Sequence, residues 1–219
     1  MSKPVFQDWG LIDYQSALDQ QLERLDILSL DPDHPGFLIF CSHPPVVTTG
    51  RQTQPDDIFS WKGPVVEISR GGRATYHGPS QLVVYPILNL KAGRNGRKPQ
   101  EVRGYLRAFE QAIVATLSDF QISAVGKTPQ KLADKNFESD ETGVWVGTQK
   151  VASLGIAVKK WITYHGAAIN LEHDTEAFKG LNPCGFKSDT MTSVEKLFGR
   201  KLNRQEFAEK LKLHLNRVL

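Results

Sequence analysis

Two stretches of the chain hold residue types that could do chemistry. The first runs from Arg70 to Ile87, RGGRATYHGPSQLVVYPI, where a glycine pair, two arginines, a histidine and two prolines meet an apolar run. Gly71 and Gly72 open backbone angles closed to other residues and let a ligand approach main-chain N–H groups. Arg70 and Arg73 bring positive charge to the same loop, so the stretch reads as a binding floor. A plain hairpin with a wide glycine loop fits the spacing equally well. The pattern is neither G-x-G-x-x-G opening a helix nor G-x-x-x-x-G-K-[ST], so a dinucleotide or phosphate-loop site has no support. The second stretch is Leu181-Asn-Pro-Cys-Gly185, where Pro183 and Gly185 lift the Cys184 thiol out of regular structure, as a loop-borne nucleophile requires. Cys41, the other cysteine, closes the apolar run Phe37-Leu-Ile-Phe-Cys41 and reads as a buried small hydrophobe. Two cysteines make neither a disulfide framework nor a cysteine zinc site, and the 6 histidines show no metal-ligand spacing, so no metal is expected.

These loops need a frame, and periodicity supplies one. With 219 residues, 40% hydrophobic and 23% charged, the chain can bury a proper core and is read as one domain over 1–219. Tyr14, Ala17, Leu18, Leu22, Leu25 and Leu28 recur at helical spacing behind Asp13 as cap. Phe37 to Cys41 and Val46 to Thr49 follow as strands. Pro64 to Ser69 alternates like a half-buried strand and Gln81 to Leu90 reads as another, so a rigid sheet is expected to deliver the glycine loop between them. Glu101 to Phe120 is the clearest helix, with Val102, Tyr105, Phe109, Ile113 and Leu117 on one stripe. Gly143 to Val146, Gln149 to Val158 and Tyr164 to Leu171 read as strands, the last two carrying Lys150 and His165. A lysine on a strand is exposed by default. A final helix starts behind Asn203, with Asn-x-x-Glu206 resembling a capping box. Gln130 to Thr142 reads as a mobile loop, and the basic loop from Lys91 to Pro99 as a solvated turn rather than a docking surface. The order predicts an α+β fold, a mixed sheet with flanking helices.

A net charge of +3 suits an anionic ligand or an acidic partner patch better than nucleic acid. The first residues hold no apolar signal core, and no apolar run approaches the roughly 18 residues that span a bilayer, so a cytoplasmic protein without a membrane partner is expected.

Four blocks together carry a resemblance: Arg70 to Pro86, Lys150-Val-Ala-Ser-Leu-Gly155, His165-Gly-Ala-Ala-Ile-Asn170 and Asn182-Pro-Cys-Gly185, with His43-Pro-Pro45 and Gly143-Val-Trp-Val146 around them. In this order and combination the chain resembles the octanoyltransferases of lipoate biosynthesis, the lipoyl(octanoyl) transferase family. The resemblance implies a fold like the catalytic domain of biotin and lipoate protein ligases. It also implies transfer of an octanoyl group from octanoyl-acyl-carrier protein to a lysine of lipoyl domains, those of 2-oxoacid dehydrogenase E2 subunits and the glycine cleavage H protein. The family's nucleophile falls on Cys184 and its catalytic lysine on Lys150. Its acyl-binding positions fall on Arg70, Gly71, Gly72, Arg73, Ala74, Thr75, Tyr76 and His77, on Ser153, Leu154 and Gly155, and on Gly166, Ala167 and Ala168, with His165 supporting. Ser80 stands where the family usually has glycine, which would narrow the backbone path there.

The residues suit that chemistry. A thiolate is the nucleophile, and a cationic neighbour, here Lys150, favours it. Lys150 would then protonate the leaving carrier thiol and, once neutral, deprotonate the incoming amine. Moving an acyl group from thioester to amide is downhill, so no cofactor is expected. Backbone N–H groups of Gly71, Gly72 or Gly155 are candidate oxyanion donors, and Val83, Tyr85, Leu154 and Ile156 candidate walls for the chain. Two rivals stand beside this reading: an ATP-dependent lipoate or biotin protein ligase, which needs no cysteine, and a binding module without turnover.

Overall fold

The computed structural model describes residues 2–93, 95–128 and 141–219. The chain begins with β1 (Val5–Leu11), α1 (Tyr14–Leu30), β2 (Phe37–Ser42), β3 (Val46–Thr49), β4 (Val65–Glu67), β5 (Thr75–His77) and β6 (Gln81–Ile87). It continues with α2 (Val102–Asp119), β7 (Val125–Gly126), β8 (Gly143–Val146), β9 (Gln149–Lys159), β10 (Ile162–Asn170), α3 (Val194–Phe198) and α4 (Arg204–Val218). Seven strands form one mixed sheet in the order β1-β2-β6-β10-β9-β8-β7, and three more form a small sheet, β4-β3-β5. In the large sheet β1 and β2 run parallel and the other neighbours antiparallel.

Alternation along each strand decides what each face of the large sheet meets. Val83 and Tyr85 of β6 face α1 and pack with Ala17, Leu25, Leu28 and Ile39. Val84, between them, faces the opposite way and joins Phe109, Ile113 and Leu117 of α2 and Phe207, Leu211 and Leu215 of α4. The caps foreseen in the sequence are made. The Asp13 carboxylate accepts from the Ser16 N–H at 3.1 Å, and Asn203 Oδ1 accepts from the Glu206 N–H at 3.1 Å.

The two strands around the glycine loop do not share a sheet. Val65–Glu67 pairs in parallel with β3 in the small sheet, whereas Gln81–Ile87 lies between β2 and β10 in the large one. The loop therefore bridges two sheets, and three of its residues, Thr75–His77, form a strand of their own against β3. β1 escapes a periodicity search because none of its residues is buried, as suits an edge strand. The five residues of α3 are too short for a helical stripe, although Ser193 caps them. The loop expected over 130–142 falls, apart from its last two residues, outside the described residues, as does Arg94 of the basic loop. Ser80 donates its hydroxyl to the Asp174 carboxylate at 2.9 Å. Among the described residues no helix is long and apolar enough to cross a membrane.

Candidate active site

Pro183–Gly185 form a single tight turn in which Cys184 takes φ 57°, ψ 22°. That left-handed conformation costs a residue with a Cβ roughly 1–2 kcal/mol, so the surroundings must impose it. They do so from both sides. The Cys184 N–H donates to the Ala74 carbonyl at 2.8 Å, and the Asn182 N–H donates to the Asp57 carbonyl at 2.9 Å. Asn182 Nδ2 also donates to the Asp56 carbonyl at 2.9 Å. Asp57 is fully buried, and its carboxylate takes Arg73 Nε at 3.0 Å together with Nη2. The hydrogen bond to Asp57 holds Arg73 firmly protonated, and the guanidinium also lies within electrostatic reach of Cys184. The thiol thus sits on a strained turn pinned by a buried ion pair.

Lys150 is fully buried on β9, against the default for a strand lysine. Its Nζ lies 5.6 Å from the ring centroids of both Trp145 and Phe186, which pack edge to face at 5.1 Å. Such placement stabilises an ammonium through the ring faces. Gly143 makes the burial possible. Its φ is +145°, and a Cβ there would meet the Ala152 carbonyl at 2.2 Å and Lys150 Cε at 2.8 Å. Glu110 of α2 fixes that glycine by accepting its N–H at 3.0 Å, and burial raises the pKa of this carboxyl. Phe186 follows Cys184 by two positions, so one ring joins the lysine to the cysteine turn. The Cys184 thiol lies 3.8 Å from the Ser153 hydroxyl, three residues beyond Lys150 on the same strand.

Cys184 opens on a cavity between the large sheet, β5 and the start of α1. Of the residues singled out in the sequence, Arg70, Thr75, His77, Ser153, Leu154, Gly155, His165, Gly166, Ala167 and Ala168 line it, as do the foreseen walls Val83 and Tyr85. Gly166 admits no side chain, since a Cβ would fall 1.9 Å from the Val84 carbonyl. Gly71, Gly72, Arg73, Ala74, Tyr76 and Ile156 do not line the cavity. The Gly71 N–H is committed to the Ile156 carbonyl at 3.1 Å, so it cannot serve an oxyanion. The Gly72 carbonyl takes the Gln52 N–H, Arg73 faces Asp57, and Ala74 holds the cysteine turn. Strand alternation sends Thr75 and His77 one way and Tyr76 the other, where its ring meets Trp61 and Phe178.

Beside the cavity lies a buried polar cluster. His43 Nδ1 must donate to the Ile12 carbonyl at 2.8 Å, because a carbonyl only accepts. His43 Nε2 is then the acceptor for the Tyr85 hydroxyl at 2.7 Å, and the Tyr85 oxygen is left for Tyr14. Burial lowers the pKa of His43, of His77 and of His165, the last to about 3 with Arg70 adding repulsion. These imidazoles are neutral near pH 7.

The geometry can be set beside known proteins. The family model of the lipoyl protein ligase A/B catalytic domain matches residues 13–216. An octanoyltransferase of Bdellovibrio bacteriovorus is 54% identical over 220 residues, covering 100% of both chains. The chain belongs to the octanoyltransferase family. A second octanoyltransferase, from Syntrophobacter fumaroxidans, is 34% identical over 100% of this chain and 91% of its own length. The fold is that of the ligases. A putative lipoate protein ligase of T. acidophilum superposes with a TM-score of 0.73 at 14% identity, over 99% of this chain and 85% of that one. A lipoate-protein ligase A bound with ATP gives 0.70 at 14% identity, over 97% and 86%. The protein is accordingly a transferase of the lipoate-related family, α+β with a mixed sheet.

Against this octanoyltransferase frame, the residues that sequence reasoning passed over become clear. Tyr14 hid as the first member of the α1 stripe, and Glu110 sits in α2 among apolar neighbours with nothing local to mark its burial. Asp57 lies in an aperiodic loop where no spacing rule applies. His43 was within reach, in the His43-Pro-Pro45 block.

Proposed function

We propose that this octanoyltransferase takes its acyl group from octanoyl-acyl-carrier protein and gives it to a lipoyl-domain lysine through a thioester on Cys184. The observation that carries the reading is the Cys184 turn: a left-handed, pinned thiol facing a cavity walled by Val83 and Ala168, with a buried lysine on the strand beside it.

In the first half-reaction the Cys184 thiolate attacks the donor's thioester carbon. The bond from that carbon to the carrier sulfur breaks, and the leaving sulfur takes a proton from the Lys150 ammonium. The products are octanoyl-Cys184, free carrier thiol and a neutral Lys150 amine. In the second half-reaction Lys150 takes a proton from the acceptor lysine's amine as its nitrogen attacks the octanoyl carbon. The carbon–sulfur bond breaks, giving the amide, the Cys184 thiolate and the Lys150 ammonium with which the cycle began. One residue acts as acid and then as base, and the protons balance. The Ser153 hydroxyl, 3.8 Å from the sulfur, is a side-chain donor placed for the developing oxyanion.

The acceptors in this reading are lipoyl domains of 2-oxoacid dehydrogenase E2 subunits and of the glycine cleavage H protein, and the reaction takes place in the cytoplasm. The test is transfer in the absence of nucleotide. With octanoyl-acyl-carrier protein and a lipoyl domain, octanoyl amide is expected on the domain without ATP. Amide that forms only from free octanoate and ATP would make the protein a ligase and overturn the reading.

A further inference from the structure

Among the described residues, five buried side-chain polar atoms without a hydrogen-bond partner cluster around one end of the cavity: Gln21 Nε2, Arg70 Nε, His77 Nδ1 and both ring nitrogens of His165. All four residues are at least nine-tenths buried. Folded interiors leave few such atoms, and each calls for a partner. Arg70, His77 and His165 line the cavity directly, and Gln21 stands behind, its Oε1 accepting the His165 N–H at 2.8 Å.

Strand register fixes where this cluster lies. Ser153, beside the Cys184 sulfur, pairs with Ala168, whereas His165 pairs with Ile156, three residues further along. At ~3.3 Å per residue the two positions are roughly 10 Å apart. Seven carbon–carbon bonds of an extended eight-carbon acyl chain, each advancing ~1.3 Å, span about 9 Å. A chain bound to Cys184 therefore ends where the unpartnered polar atoms begin.

Their chemistry selects the occupant. Gln21 Nε2 and Arg70 Nε only donate, while each neutral imidazole both donates and accepts. Water satisfies such a mixture. A methyl group satisfies none of it, and a carboxylate only the donors.

We propose that His165, with His77, Arg70 and Gln21, is the acyl-length stop: it holds water at the far end of the slot and limits the apolar part to eight carbons. The inference rests on reading the cavity as the acyl site. Two further carbons would have to expel that water and leave the ring nitrogens unpaired, which discriminates by about tenfold or more.

The experiment compares initial acylation rates with octanoyl- and decanoyl-carrier thioesters, read by intact-protein mass. Wild type is expected to favour octanoyl by about tenfold or more. His165→Leu, which removes the ring's polar atoms, should bring the ratio close to one even where both rates fall, and His165→Asn should keep the preference. His77→Leu carries the same expectation from the opposite wall if His165→Leu does not fold. Equal wild-type rates, or a ratio unchanged in both leucine variants, would overturn the proposal while leaving the acyl-enzyme intact. Absence of adduct with either donor would remove the acyl-enzyme reading and this inference with it.

Discussion

The two faces of the large sheet are made by the same strands and follow different rules. Toward α2 and α4, Val84 and Ile169 meet Phe109, Ile113, Leu117, Phe207, Leu211 and Leu215 in an apolar cluster. Toward α1 and the small sheet, neighbouring residues of those strands meet Arg70, His77 and the Cys184 turn, with left-handed backbone at both His165 and Cys184. The first face supplies stability, and the second spends part of it. The left-handed His165 and Cys184, the Asp57–Arg73 pair and the five unpaired polar atoms around the cavity lie on the second side, where packing on the other side can hold them in place. Substitutions should therefore separate cleanly into those that remove activity and those that remove stability.

The largest effect is expected at the thiol and the lysine. Cys184→Ala and Lys150→Ala should each lower the octanoyl transfer rate by about a thousandfold or more, as removal of a residue that reacts as part of a unit does. Rates within tenfold of wild type would break the assignment of chemistry to this face. Next comes the ion pair behind the cysteine turn. Asp57→Ala leaves the buried Arg73 guanidinium with the exposed Asp56 carboxylate at 3.5 Å in place of its buried partner and should cost about 3 kcal/mol in urea unfolding, with Asp57→Asn in between. A loss below about 1 kcal/mol would show that the pair carries no strain from the turn.

On the apolar face, Leu211→Ala should cost about 2–5 kcal/mol through the cavity it leaves, while activity per folded molecule stays at the wild-type level. Activity falling further than the folded fraction would blur the division between the faces. Acid should strike the polar face first. His165 has its pKa lowered to about 3 in the folded protein, so the unfolded chain binds more protons once pH falls below about 6.5. Stability from this group is full above that value and is lost as pH drops toward the folded pKa, by about 2 kcal/mol at pH 5. The urea midpoint measured from pH 7.5 to 5 should fall accordingly, and a flat profile would contradict a buried neutral imidazole. The smallest effect is at the α4 cap, where Asn203→Ala should cost about 1 kcal/mol with activity unaltered.

The apolar face could be read from the chain because its signals are local. The 3.6-residue stripe of Glu101 to Phe120 became Val102–Asp119, and the Asn203 cap opened α4 where its spacing placed it. The polar face could be read only in part. Motifs pointed to the loop, the thiol and the histidines. What they could not give was the assignment of Val65–Glu67 and Gln81–Ile87 to different sheets, which depends on pairings distant in sequence. Nor could spacing reveal that Asp57 would meet Arg73, or that alternation in β5 would turn Tyr76 out of the cavity while keeping Thr75 and His77 in it. Burial of Lys150 ran against the ordinary behaviour of its residue type, and it depends on Gly143 and two aromatic rings contributed by other segments.

The most direct test of the account is intact-protein mass spectrometry after mixing the enzyme with octanoyl-acyl-carrier protein, without ATP and before any lipoyl domain is added. One octanoyl adduct should form, map to the peptide carrying Cys184, vanish in Cys184→Ser and discharge when a lipoyl domain is supplied. An adduct on another residue, or amide formed on the lipoyl domain at full rate by Cys184→Ser, would contradict a thioester on the pinned turn.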